Sequence, residues 1–185
     1  MSHEEADPVK AAFGQGLSYE DWQSLAHIVD VYGDVLFTLP SVCVNVAHPL
    51  LQEIVKELAD DERDFAFLCG HDSNLASVMA ALEVEDYVLP NALNQTTPIG
   101  GKLVIEKWKN AQGEEFVSLR LVHQSPDQLS NIQMMGPDNP PECVRLSLAG
   151  LNANEDGLYK LSDVQARFQK ALDAYDPLFA EDEAA

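Results

Sequence analysis

Basic residues are scarce in this chain. Its 185 residues include 11 lysines and arginines against 31 aspartates and glutamates, a formal net charge of −20 at pH 7. A surface this acidic repels phosphate backbones and anionic lipid, so neither nucleic acid nor a membrane is an expected partner. Long apolar runs are missing too: nothing approaches the ~18 residues of a membrane span. The opening Met1-Ser2-His3-Glu4-Glu5 lacks the basic flank and apolar stretch of a signal peptide, so the chain as it stands is expected to remain cytoplasmic. Cysteine is rare and odd in number, with Cys43, Cys69 and Cys143 far apart. That argues against a disulfide framework and against a cysteine-rich zinc site. There is no internal repeat, no Gly-x-Ser-x-Gly elbow and no Walker-type glycine loop.

What remains is a chain able to fold. Hydrophobic residues make up 46% and charged residues 23%, enough for a core. After a loose N-terminus (1–17), Ser18-Tyr19-Glu20-Asp21 reads as a helix start with a capping oxygen and early acids. Trp22, Leu25, Val29, Tyr32 and Leu36 continue as a helical stripe that ends near Leu39-Pro40. A second helix is expected from His48-Pro49, burying Leu51, Ile54, Val55 and Leu58. Residues 65–69, Phe-Ala-Phe-Leu-Cys, form a short continuous apolar run, the pattern of a strand buried on both faces. A helix over 75–82 follows. A hairpin then pairs 102–108 with 116–122 across a turn at Gly113. Pro137, Pro140 and Pro141 stiffen a loop, 144–148 is a further strand, and Ser162-Asp163-Val164-Gln165 resembles a capping box. The order implies an α/β protein. A helical part (18–62), an α/β part (63–175) and an acidic tail (176–185) follow from this reading.

Gly70-His71-Asp72-Ser73-Asn74 stands where the apolar run ends and a helix begins. In open α/β sheets ligands bind beyond the carboxyl ends of the strands, and a helix N-terminus attracts anions. A histidine there can hydrogen-bond phosphate oxygens, and an adjacent aspartic acid can protonate a leaving alkoxide. Gly70 allows close approach of the backbone. The same residues also suit a plain helix start, with Asp72 or Ser73 as the cap and His71 a half-buried loop residue. His27, His48 and His123 read as packing or surface residues, and Trp22 and Trp108 as core or interface anchors. No other His/Asp set has ligand spacing, so no metal is expected.

Three segments together resemble a family. They are Phe67-Leu68-Cys69-Gly70-His71-Asp72-Ser73-Asn74, then Thr97-Pro98-Ile99-Gly100-Gly101-Lys102 through Trp108, then Val144-Arg145-Leu146-Ser147-Leu148-Ala149-Gly150. They resemble the C-terminal half of histidine acid phosphatases, in the bacterial glucose-1-phosphatase and phytase branch. Upstream, Tyr32-Gly33-Asp34-Val35-Leu36 and Ala47-His48-Pro49-Leu50-Leu51 resemble the end of that family's helical subdomain. The resemblance implies the C-terminal part of a histidine-phosphatase-like sheet with flanking helices. It assigns Asp72 as proton donor, His71 to phosphate binding, and Asn74, with Gly70 and Ser73, to the substrate pocket. No cofactor or metal is implied, and relatives are periplasmic or secreted.

The family's nucleophile motif, Arg-His-Gly-x-Arg-x-Pro, is missing. None of the five histidines follows an arginine or precedes a glycine, and the four arginines (Arg63, Arg120, Arg145, Arg167) are scattered. The expected function is therefore a partial phosphomonoester hydrolase of sugar- or inositol-phosphate type, inactive alone. The alternative is a non-catalytic acidic binding module descended from the same fold. Expected partners are phosphate or a phosphomonoester, a second copy, or a complementing N-terminal half.

Overall fold

The computed structural model describes residues 11–175. Part of the loose N-terminus and the acidic tail at 176–185 lie outside them. Helix α1 (Tyr19–Gly33) opens as its sequence implies: Ser18 Oγ accepts from the Asp21 N–H at 3.2 Å, and the Asp21 carboxylate accepts from the Ser18 N–H at 2.8 Å. A π-helical turn (Asp34–Thr38) follows, and the chain breaks at Leu39. Helix α2 (Pro40–Ala59) leaves at 78° to the first.

The expected start at His48-Pro49 is corrected by this arrangement. Pro40 opens α2, and Pro49 lies inside it. An interior proline costs about 3 kcal/mol. Cys43, Ala47 and Leu51 form one buried stripe spanning it, with Ile54, Val55 and Leu58 packed against the core as expected. Their combined burial, about 1.5–3 kcal/mol for each large aliphatic side chain, outweighs the proline.

Among the described residues three further α-helices follow: α3 (Asp72–Ala81), the short α4 (Pro126–Ser130) and α5 (Leu161–Asp173). The anticipated hairpin is formed by β1 (Lys102–Lys109) and β2 (Glu115–His123), antiparallel from Lys102↔Val122 to Lys109↔Glu115. β3 (Glu142–Arg145) joins the other edge of β2, as does the two-residue β4 (Tyr159–Lys160) nearer the turn. Period-two alternation sends Val117, Leu119, Leu121 and His123 into the core. There Val117, Leu119 and Leu121 share one cluster with Leu51 of α2, Val78 of α3 and Phe168 of α5. The result is a mixed α/β fold: a small antiparallel sheet with helices flanking it.

One expectation about an apolar segment fails. Residues 65–69 are in no strand, and the backbone of 65–70 makes no hydrogen bond among the described residues. Phe65 is 80% exposed and Phe67 67%. The stripe from Trp22 to Leu36 is helical as read, but on α1 Leu25, Val29 and Tyr32 are exposed, as is Leu36 in the π-helical turn, while Trp22 is half-buried and the one buried residue of α1 is Asp30. In both places the apolar pattern is present, but the described residues provide no layer to cover it. A smaller correction concerns Ser162: α5 starts at Leu161 with Lys160 as its cap, and Ser162 bonds only Asp163. Strand β4 runs straight into the helix and Leu161 must be buried, which moves the start upstream. The strand expected at 144–148 is β3, shifted two residues earlier, with Leu148 held by a single bridge to Val84.

Candidate active site

Helix α3 is anchored at its far end and free at its near end. Ser77, Val78 and Met79 are buried, and Ser77 Oγ donates to the Phe37 carbonyl at 3.1 Å. Its first turn projects to the surface, where His71 and Asp72 are exposed and Ser73 and Asn74 half-buried. His71 occupies the cap position with extended backbone (φ −111°, ψ 171°). Asn74 Oδ1 reaches back to accept the His71 N–H at 2.9 Å. The Asp72 carboxylate accepts from the Ser73 N–H at 2.8 Å.

Gly70 has a concrete job here. A Cβ at that position would lie 3.1 Å from Asn74 Oδ1, tighter than ordinary packing, so the missing side chain makes room for the back-reaching amide. The five residues thus form one local unit. Asn74 sets the His71 backbone, and the side chains of the consecutive residues His71 and Asp72 are both exposed. Chemically the pair offers an imidazole for anion contact and a carboxyl for proton transfer. It sits on an open surface. Two shallow hollows lie elsewhere: one of about 230 Å³ against Val55, Leu58 and Phe168, the other of about 300 Å³ against Glu115, Phe116 and Lys160.

None of the four arginines stands free for an anion. Arg63 pairs with Glu57 and Asp60 at 3.1 and 3.5 Å, and Arg120 with Glu106. Arg145 donates to the Asp156 carbonyl. Arg167 is buried and donates to the carbonyls of Leu82 (2.8 Å) and Ala149 (2.6 Å), with Glu83 2.9 Å away. Hydrogen bonding from Lys170, helped by the charges of Arg167 and Lys170, holds the Glu83 carboxyl below its usual range. Among the described residues no group of three or more His, Cys, Asp or Glu could hold a metal ion.

The glycine pair of the 97–101 segment is explained by a tight turn. Gly100 has φ +69°, and a Cβ on Gly101 would meet the Pro98 carbonyl at 2.8 Å. Sequence reading missed the polar cluster just before this turn. Asp30 of α1 accepts from Thr96 Oγ1 at 3.1 Å and from the Gln95 N–H at 3.4 Å. Tyr87 donates to the Thr96 carbonyl at 2.8 Å, and burial, with the Asp34 and Asp30 charges nearby, pushes its phenol up to about 12. The available signal was the Asn94-Gln95-Thr96-Thr97 string, whose Asn94 side chain accepts from the Thr96 and Thr97 N–H groups in an Asx turn. Of the other histidines, His123 is buried, His27 is exposed, and His48 stacks on Tyr175 with ring centroids 4.0 Å apart.

With this geometry in place, the likeness to known proteins can be stated. Residues 12–124 match the family described as histidine phosphatase superfamily (branch 2). Glucose-1-phosphatase of Providencia rettgeri is 34% identical over 169 residues, covering 89% of this chain and 40% of its own length. The phytase AppA of Escherichia coli (strain K12) is 28% identical, covering 81% of this chain and 37% of its own. Among solved structures, the Citrobacter braakii phytase superposes with a TM-score of 0.78 at 27% identity, covering 90% of this chain and 43% of that one. The chain therefore spans about 40% of the length of the curated relatives it matches.

Proposed function

The chain belongs to the histidine phosphatase superfamily, branch 2, and from that premise we propose that it is one part of a phosphomonoester hydrolase acting on a sugar or inositol phosphate. In this reading His71 contacts the phosphate and Asp72 protonates the leaving alkoxide. Asn74, Ser73 and Gly70 line the substrate side. The attacking histidine and the arginines that neutralise phosphate come from a complementing N-terminal half, in trans or as the rest of a longer chain. The observation that carries the proposal is the placing of exposed His71 and Asp72 at the start of a helix whose far end is buried, with Asn74 bonded back to His71.

A second reading, a non-catalytic acidic binding module, is favoured by one observation. Every arginine is engaged by an acid or a carbonyl, so none is free to clamp a phosphate as the chain stands. The two readings part on reconstitution. The 185-residue chain is co-expressed with the unmatched part of the Providencia rettgeri glucose-1-phosphatase, and phosphate release from glucose 1-phosphate and inositol hexakisphosphate is measured. The first reading expects turnover by the pair and none by either chain alone. Asp72→Asn is then expected to lower turnover by about a hundredfold or more while phosphate still binds. Turnover indifferent to that change removes Asp72 from its role, and a soluble but inert pair supports the binding module.

A further inference from the structure

Among the described residues, every lysine and arginine but three is paired with a carboxylate, and the three are Lys102, Arg145 and Lys160. Lys102 donates to the Gly100 carbonyl at 2.7 Å and Arg145 to the Asp156 carbonyl, neutral groups that leave both charges uncompensated. All three residues are exposed, and all three lie on one face of the sheet. The alternation that buries Val117, Leu119 and Leu121 turns Phe116, Ser118, Arg120 and Val122 the other way. Register then sets Lys102 across from Val122, Arg145 across from Arg120, and Lys160 across from Phe116. The one acid at the strand positions of this outer face is Glu106. It is already used: it pairs with Arg120 and accepts from Ser118 Oγ at 2.9 Å. Trp108 shares the face, 49% exposed, with its Nε1 donating to Ser118 Oγ at 3.2 Å. A chain of net charge −20 thus gathers its uncompensated cations, with an aromatic side chain, on a single face.

We infer that the outer face of the sheet is a docking surface for an acidic segment of a different polypeptide. Its carboxylates meet Lys102, Arg145 and Lys160, and its apolar side chains lie over Trp108 and Phe116. The partners of Lys102 and Lys160 are six residues apart on β2, so the face is about 20 Å long at ~3.3 Å per residue. At physiological ionic strength the Debye length is about 8 Å, so a ligand on this face responds to the cations beside it rather than to carboxylates across the molecule. Two copies meeting through this face would set the same three cations against one another, which disfavours a symmetric dimer. Charge complementarity supplies the selectivity, and the half-exposed indole supplies an anchor of the kind that dominates interface energies. The face lies on the side of the sheet away from α3, so the inference goes beyond the phosphatase reading and does not rest on it.

The test uses the 185-residue chain and three labelled peptides about 13 residues long, enough to span the face as a helix. One carries glutamates and two leucines, the second lysines with the same leucines, the third glutamates with alanines in place of the leucines. Binding is followed by fluorescence anisotropy at about 0.1 M salt, where distant charges are screened. The glutamate–leucine peptide is expected to bind about tenfold or more tighter than either of the others. Charge reversal in the double variant Lys102→Glu, Lys160→Glu is expected to weaken it by a similar factor, and Trp108→Ala to weaken it with an unchanged circular dichroism spectrum. Lys56→Glu, an exposed reversal on α2, is expected to leave binding unchanged. Equal or preferred binding of the lysine peptide, no binding of the glutamate–leucine peptide, or a double variant no weaker than Lys56→Glu overturns the inference. So does self-association in sedimentation that the double variant abolishes, which gives the face to the acidic surface of a second copy.

Discussion

The inner face of the sheet on one hand, and α1 and residues 65–69 on the other, are built from the same kinds of side chain. Leu119, Leu121 and Phe168 are at most 1% exposed, whereas Ile28, Tyr32, Phe65 and Phe67 are all above 60%. Composition and periodicity cannot distinguish these two sets. What separates them is whether another layer lies opposite. The inner sheet face has α2, α3 and α5 against it, and the exposed set has nothing among the described residues.

The contrast can be pressed by substitution. At the buried end, Phe168→Ala is expected to destabilise by about 3–5 kcal/mol, the range for emptying an aromatic core position. Urea denaturation measures it, and a loss under about 1 kcal/mol would mean the helices are not closing that face. Arg167→Met comes next. It strands the Leu82 and Ala149 carbonyls and leaves Glu83 without its buried partner, for an expected loss of about 2–4 kcal/mol. A neutral effect in the same assay would show that water replaces the guanidinium.

An alkaline titration gives a subtler measure. The Tyr87 phenol titrates near 12 rather than at its ordinary value of 10.0. Because the folded value is the higher one, the contribution is complete below about pH 10 and is lost as pH rises toward 12. Phenolate absorbance is expected to show a late component that Tyr87→Phe abolishes. The smallest effect belongs to the uncovered side: Phe67→Ser is expected to change stability by no more than about 0.5 kcal/mol. A large loss in thermal melting would place Phe67 in a core and collapse the comparison.

Legibility in the sequence follows the same division. The β1–β2 hairpin, the inward face of α2 and the Ser18 capping box were readable because their causes are local: alternation, helical spacing and a hydrogen-bonding side chain. The pentapeptide 65–69 was readable as apolar but not as unpaired, since pairing depends on residues elsewhere. Pro49 misled because a proline rule competes with a buried stripe that only the tertiary structure displays. At the candidate site the residues and their order were legible. The use of Asn74 to hold the His71 backbone, and the space Gly70 leaves for it, were not, because both depend on a three-residue turn geometry. Asp30 was invisible for a similar reason: its partners come 65 and 66 residues later.

That separation has a kinetic consequence. Helix α1 carries its own start signal, so it can form early and locally. Its polar ties run to Gln95 and Thr96, and from Tyr19 to the Ala92 carbonyl 73 residues away. These cannot form until the 87–97 loop has been laid down against α3 and the sheet, so the order of events is helix first, docking last. Asp30→Asn is accordingly expected to quicken unfolding and leave the folding rate nearly unchanged in a chevron measurement, the mark of a contact absent from the transition state.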